Sequence, residues 1–146
     1  MERIWNLFMY AIKKQNKFEG RACRMEAISF YIIDMILMLI MIPISMGFLF
    51  AGAAASEGSS GGIGYVLMGI GGLLMLALLI IQLILLVPGI GVACRRLHDI
   101  NLSGWLQVLN YIPYIGGFCG LVLAVLYFFV PGTEGDNNYG PISENY

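Results

Sequence analysis

Three apolar runs separated by short polar stretches set the pattern of the chain. They cover about Ala27 to Ala53, about Ile63 to Val87, and Trp105 to Val130. A helix needs roughly 20 predominantly apolar residues to cross the hydrocarbon core of a bilayer. The first run exceeds that, so tilt or a kink is expected, and Pro43 and Gly47 supply a place for it. The second is glycine-rich in its first half (Gly64, Gly69, Gly71, Gly72), which permits close helix contact. Pro88-Gly89 is expected to loosen its end before Arg95-Arg96. The third run would be about 39 Å long as a straight helix, too short for two complete crossings. Pro113 and Gly116-Gly117 interrupt it, so it reads either as one kinked span or as a re-entrant hairpin turning near residues 112–117.

The segments around these runs are of different character. Ile4, Leu7, Phe8, Ala11 and Ile12 recur at helical spacing, with Trp5 and Tyr10 nearby and Lys13, Lys14 and Lys17 after them. That predicts an amphipathic helix over residues 1–17, lying in the inner headgroup layer or packed on the rest of the protein. Gly20 ends it, and Arg21 and Arg24 anchor the next helix. Ala53-Ala54-Ala55-Ser56 resembles a signal cleavage site, but the apolar region before it is too long and contains Asp34, so a retained span is expected. Residues 54–62, without a basic residue, read as an external turn. Residues 131–146, rich in Gly, Pro and Asn, read as a polar tail of turns and coil. The predicted architecture is all-α: a membrane helical bundle over residues 18–142, with an interfacial N-terminal helix and three spans, the last kinked or re-entrant.

Composition supports a lipid environment. Of the 146 residues, 59% are hydrophobic and only 12% are charged, about half the share in a soluble domain. All eight lysines and arginines lie before position 97, in two clusters flanking the first two spans. Basic loops mark the cytoplasmic side, which puts both clusters and the N-terminus inside. The acidic tail leans towards one third span with an external end, although acidic residues carry little topological weight. The basic residues form no soluble face, so nucleic acid is not an expected partner. Cys23, Cys94 and Cys119 show no CxxC spacing and read as packing residues rather than disulfide or zinc ligands.

One polar block stands out: Arg95-Arg96-Leu97-His98-Asp99, followed by Ser103-Gly104-Trp105. Together with Phe18, Gly20, Arg21, Arg24 and Glu26, and with Pro131-Gly132-Thr133 and Asn138-Tyr139-Gly140, it resembles the small bacterial inner-membrane proteins called domain of unknown function 805. The resemblance covers roughly residues 15 to 142 and rests most on the Arg-Arg-Leu-His-Asp block with its Ser-Gly-Trp. Three positions depart from it. Ala27-Ile28 stand where aromatics are common, Asn101-Leu102 replace a Gly-basic pair, and Leu106 replaces a second tryptophan. The resemblance implies location in the bacterial inner membrane and a multi-pass architecture, and assigns no activity.

The polar residues suggest three kinds of chemistry. Arg21, Arg24, Arg95 and Arg96, with His98 and Asp99, form a candidate cluster for an anionic ligand or lipid headgroup, because arginine presents a bidentate fork to phosphate. The plainer reading has the arginines fixing topology while His98 and Asp99 tie the turn between helices. His98, Asp99 and Ser103 lack a nucleophile elbow, and one histidine is a poor metal set, so no catalytic residue, metal or cofactor is expected. Gly89-Ile90-Gly91-Val92-Ala93-Cys94 lacks the third glycine of a dinucleotide loop.

Asp34, about two turns inside the first span, is either a functional acid or a salt-bridge partner for Arg24, Arg95 or Arg96. Gln82 and Asn110 read as interhelical hydrogen-bonding residues. Gly116, Gly120 and Ala124 read as a smooth packing face, for intramolecular contact or a homo-oligomer seam. The expected function is a non-enzymatic module binding anionic lipid or a membrane-protein partner. The alternatives are a component of a small oligomeric transporter or channel and, behind that, a lipid-modifying enzyme.

Overall fold

The computed structural model describes residues 2–14, 18–56 and 61–142. Lys17, part of the expected external turn (57–60) and the end of the tail (143–146) lie outside the described residues. The chain is all-α. Helices α1 (Glu2–Lys13), α2 (Arg24–Ser56) and α3 (Gly61–Asp99) are followed by a 3-10 helix (Gly104–Tyr111) and α4 (Gly116–Phe128). At 1.5 Å per residue, the 33 residues of α2 and the 39 of α3 extend about 50 and 58 Å. Both are long and apolar enough to cross a bilayer core of about 30 Å with length to spare. Pro43 lies inside α2 and Pro88 inside α3. The expected loosening at Pro88-Gly89 does not end α3, which carries Arg95, Arg96 and His98 on helix. A proline removes one N–H from the ladder, a loss that apolar helices tolerate when their surroundings hold them.

The chain divides into two compact units: residues 34–84, and residues 1–33 with 85–146. In the first, α2 and α3 meet along a seam of small residues. Ser45, Gly52, Gly64 and Gly71 are buried there. A Cβ on Gly64 would lie 2.6 Å from the Ser56 backbone nitrogen, and one on Gly71 would lie 2.9 Å from the Ser45 carbonyl. Any side chain at these positions would push the helices apart, so the seam depends on backbone-to-backbone contact. Gly69 and Gly72, equally apolar in sequence, face open space. Ser45 Oγ donates to the Met41 carbonyl at 2.9 Å and so is satisfied within its own helix. Away from the seam, Leu39, Phe50, Tyr65, Leu73 and Leu83 are exposed, an apolar surface suited to hydrocarbon and not to water.

In the other unit, α1 packs its apolar face on the beginning of α2 and the end of α3. Phe8, Ala11, Ala27, Phe30 and Val92 form one buried cluster, with the Phe8 and Phe30 rings 5.6 Å apart. Leu7, Phe8 and Ala11 therefore face protein, while Trp5 and Lys13 stay exposed. A second cluster joins Ala93 and Leu97 of α3 to Leu123 and Tyr127 of α4.

The third apolar run does not form a single kinked helix. It divides at Ile112–Ile115 into the 3-10 helix and α4, with Tyr114 at φ 70 in the left-handed region. The two pieces pack together at the turn. A Cβ on Gly120 would lie 2.6 Å from Asn110 Oδ1, so the small face begun by Gly116 and Gly120 receives the end of the 3-10 helix. Asn110 itself is exposed and makes no side-chain hydrogen bond among the described residues. Pro113 supplies the break, because it cannot continue the hydrogen-bond ladder from the preceding turn.

Candidate functional site

The polar block at the end of α3 folds back on residues from both ends of the chain. Asp99 sits between two arginines. Its Oδ1 accepts from Arg21 Nε at 2.9 Å and its Oδ2 from Arg96 Nη1, and all three side chains are fully buried. Arg95 Nη2 donates to Glu26 Oε1 at 2.9 Å, again between buried side chains. The remaining donors go largely to backbone carbonyls. Arg21 reaches those of Thr133 and Gly135, both at 2.6 Å. Arg96 reaches those of Tyr127, at 3.0 Å, and Val130. Arg95 reaches that of Lys14 at 3.2 Å. Buried guanidinium groups require this degree of satisfaction, since an isolated charge removed from water is very costly.

The tail completes the end of α3. The last carbonyls of a helix lack intrahelical donors. Here Thr133 N and Oγ1 donate to the Asp99 carbonyl at 2.9 and 3.0 Å, and Asn137 Nδ2 donates to the His98 carbonyl at 2.8 Å. Asn101, at φ 60, turns the chain out of the helix, and Leu102 N closes on the Leu97 carbonyl at 2.9 Å. A short turn, Asn137 to Gly140, then lays the Tyr139 ring flat on His98, with centroids 4.0 Å apart and planes within 3°. The tail expected on the far side of a third span thus lies against the arginines.

His98 and Asp99 do not act as a couple. Asp99 is engaged with arginines, while His98 Nδ1 approaches the Gly20 carbonyl at 3.3 Å. A carbonyl only accepts, so in the neutral ring Nδ1 carries the proton and Nε2 presents a lone pair. Burial lowers the His98 pKa below its ordinary value, and the Gly20 carbonyl opposes this only in part. Burial likewise pushes the Cys23 and Cys94 thiols up, which keeps them protonated at neutral pH and fits packing roles. Ser103 caps the 3-10 helix, its Oγ accepting from Trp105 N at 3.4 Å.

Of the six cluster residues expected from sequence, the structure gathers Arg21, Arg95, Arg96, His98 and Asp99 into one network. Arg24 stays exposed at its edge, 3.5 Å from the Phe129 carbonyl. Asp34 is elsewhere: its carboxylate accepts from Gln82 Nε2 at 2.9 Å, so an amide takes the place of the expected arginine. Thr133, Gly135 and Asn137 were not expected as partners of the arginine block. The Pro-Gly-Thr and Asn-Tyr-Gly stretches of the tail were the only sequence signal for them.

Beside the network lies a half-open cleft of about 540 Å³, between the end of α3 and the 3-10 helix, with Trp105 82% exposed on its wall. Phe18, Cys94, His98, Trp105, Tyr111 and Tyr139 are among the residues lining it, and none of the lining residues is acidic, lysine or arginine. Among the described residues no group of three or more His, Cys, Asp or Glu is arranged to hold a metal.

Comparison with known proteins agrees with the helices. The inner membrane protein YhaI of Escherichia coli (strain K12) is 45% identical over 53 residues, covering 36% of this chain and 42% of that protein. The inner membrane protein YhaH of the same organism is 34% identical over 59 residues, covering 40% of this chain and 46% of that protein. The chain thus spans under half the length of either curated relative. No solved structure matches it. The family model described as "Protein of unknown function (DUF805)" matches residues 16–141, nearly the whole chain and the whole of the arginine network. The chain is an inner-membrane protein with transmembrane helices, and it belongs to the DUF805 family.

Proposed function

We propose that the protein is a non-enzymatic, multi-pass membrane module that holds anionic lipid at the cytoplasmic face. The buried arginines serve as its internal clamp, and the exposed basic residues make the lipid contact. The observation that carries this is the division of labour among the cations. Arg21, Arg95 and Arg96 are buried and engaged by Asp99, Glu26 and backbone carbonyls. Arg3, Lys13 and Arg24 are exposed. The lipid contact inferred from sequence for the whole cluster therefore passes to these three. In this reading α2 and α3 cross the membrane, and the 3-10 helix and α4 form a re-entrant hairpin. Both ends of the described chain then lie on the cytoplasmic side. The bonds from Thr133 and Asn137 to the end of α3 support that placement, because a tail across the bilayer would be out of reach.

Native mass spectrometry of protein carrying phosphatidylglycerol tests it. A basic residue near an anionic surface contributes about 1 kcal/mol. Replacing Arg3, Lys13 and Arg24 together with glutamine should weaken retention roughly 100-fold. Undiminished retention would reject the contact, and capture of a membrane-protein partner lost in the same variant would redirect it to protein. A second reading, a component of a small oligomeric transporter or channel, rests on Asp34 and Gln82. They form a hydrogen-bonded polar pair within two otherwise apolar helices. Ion flux in liposomes that disappears in Asp34→Asn would favour it.

A further inference from the structure

We propose that the cavity between α3 and the 3-10 helix binds an uncharged, membrane-soluble alcohol, with the ligand's hydroxyl donating to His98 Nε2. This site is distinct from the exposed basic residues of the lipid contact and does not depend on them. The volume, about 540 Å³, falls within the range of small-molecule sites. The lining settles the charge of the occupant. No acidic or basic chain faces the space, and the neighbouring arginines direct their donors to Asp99, Glu26 and carbonyls. A charged ligand would lose water there without gaining a counter-charge. The walls of Phe18, Ile90, Trp105, Val108 and Tyr111 suit an apolar body.

The polar groups settle the rest. Ser103 Oγ already accepts from Trp105 N, and Gln107 Oε1 from the Tyr127 hydroxyl, so the free groups of these two side chains are chiefly donors. His98 differs. Its Nδ1 proton is directed to the Gly20 carbonyl, and Tyr139 stacked on the ring fixes its plane. Nε2 has no hydrogen-bond partner among the described residues and offers an acceptor to the cavity. Gly104 keeps that acceptor open: a Cβ there would lie 3.2 Å from His98 Nε2 and 3.2 Å from Cys94 Sγ. An uncharged hydroxyl on an apolar body matches this set, since it donates to His98 Nε2 and can still accept from a hydroxyl or amide of the lining.

The test uses 11,12-dibromododecan-1-ol and its methyl ether, whose bromines quench tryptophan fluorescence. The full chain in nanodiscs carries Trp5→Phe, so that Trp105, at the cavity wall, is the reporter. The alcohol should quench saturably and the ether about tenfold more weakly, as the loss of one hydrogen bond predicts. The ether keeps its oxygen for any donor from Gln107, so the difference isolates the acceptor. In Gly104→Ala, which keeps the imidazole but crowds His98 Nε2 and Cys94 Cβ, the preference for alcohol over ether should vanish while the protein still melts cooperatively. Equal quenching by both compounds on the unaltered cavity, or quenching that never saturates, would overturn the proposal whatever the variant does. A full alcohol preference in Gly104→Ala would overturn the assigned contact.

Discussion

Asp99→Asn is the sharpest perturbation of the clamp. The substitution is nearly isosteric, but it removes the one negative charge between Arg21 and Arg96. It also sets an amide N–H₂ against one guanidinium and its carbonyl against the other, so only one arginine keeps its acceptor at position 99. Breaking a buried ion pair from one side costs about 3–5 kcal/mol, because the remaining charge stays buried. Asp99 holds two such charges, so the upper end of that range is expected. Against a total stability of about 5–15 kcal/mol this is a large fraction. For a chain of this size, each kcal/mol moves the melting midpoint by about 2–4 °C, giving a fall of about 10–20 °C. The midpoint can be followed in detergent with a thiol-reactive dye in a Cys94→Ser, Cys119→Ser background, where the dye reports Cys23, which is only 3% exposed in the fold and two residues from Arg21. Arg21 also holds the Thr133 and Gly135 carbonyls, so amide exchange at Thr133 and Tyr139 should accelerate well below the midpoint. Asp99→Glu should recover part of the loss. If Asp99→Asn melts within about 2 °C of the native protein and tail exchange is unchanged, the two arginines do not depend on Asp99 and the clamp is wrong.

Three further outcomes follow from other parts of the molecule. Gly71→Leu should separate or shift α2 and α3, since its Cβ alone would lie 2.8 Å from the Leu49 side chain, whereas Gly72→Leu faces open space. Cysteine cross-linking along the seam in membranes would distinguish the two variants, and equal yields would contradict the packing. Gln82→Leu should cost about 1–3 kcal/mol by leaving the Asp34 carboxylate without its donor, and Asp34→Leu in the same chain should restore most of it. Non-additivity in a melting cycle checks this, and strict additivity would remove the pair. The His98 pKa is lower in the fold than its unfolded value of about 6.5, so the unfolded chain binds the proton more readily. His98 therefore contributes stability above about pH 6.5 that is lost as pH falls through the lower folded pKa. His98→Phe, which keeps a ring against Tyr139, should flatten the melting temperature between pH 7 and 5.

Much of the architecture was legible from the residues because burial in lipid leaves a long apolar signature. Both long helices could be read in that way, whereas the nearness of Arg21 to the block at 95–99 followed from the basic residues that flank the spans. The third run was ambiguous for a physical reason. Its length lies between one crossing and two, and Pro113 with Gly116 permits either a kink or a turn. The break at 112–115 is accompanied by contacts that the apolar pattern does not encode: Asn110 against Gly120, and Leu97 against Leu123 and Tyr127. Charge alone offers Asp34 a role as a functional acid or as an arginine's partner, and in the fold Gln82 of its own compact unit provides its hydrogen bond. The arginines looked available for phosphate because backbone acceptors are invisible in a sequence. Carbonyls at Thr133, Gly135, Tyr127 and Val130 take donors that a list of acidic residues would leave open.

The side of the membrane on which the tail lies tests the central claim most directly. The account requires residues 131–142 to share the compartment of Arg21 and Asp99. A fluorescent protein that matures only in the cytoplasm, fused after Tyr146, should be bright, and alkaline phosphatase fused at the same position should be inactive. An active phosphatase fusion with a dark fluorescent one would place the tail across the bilayer and contradict the clamp.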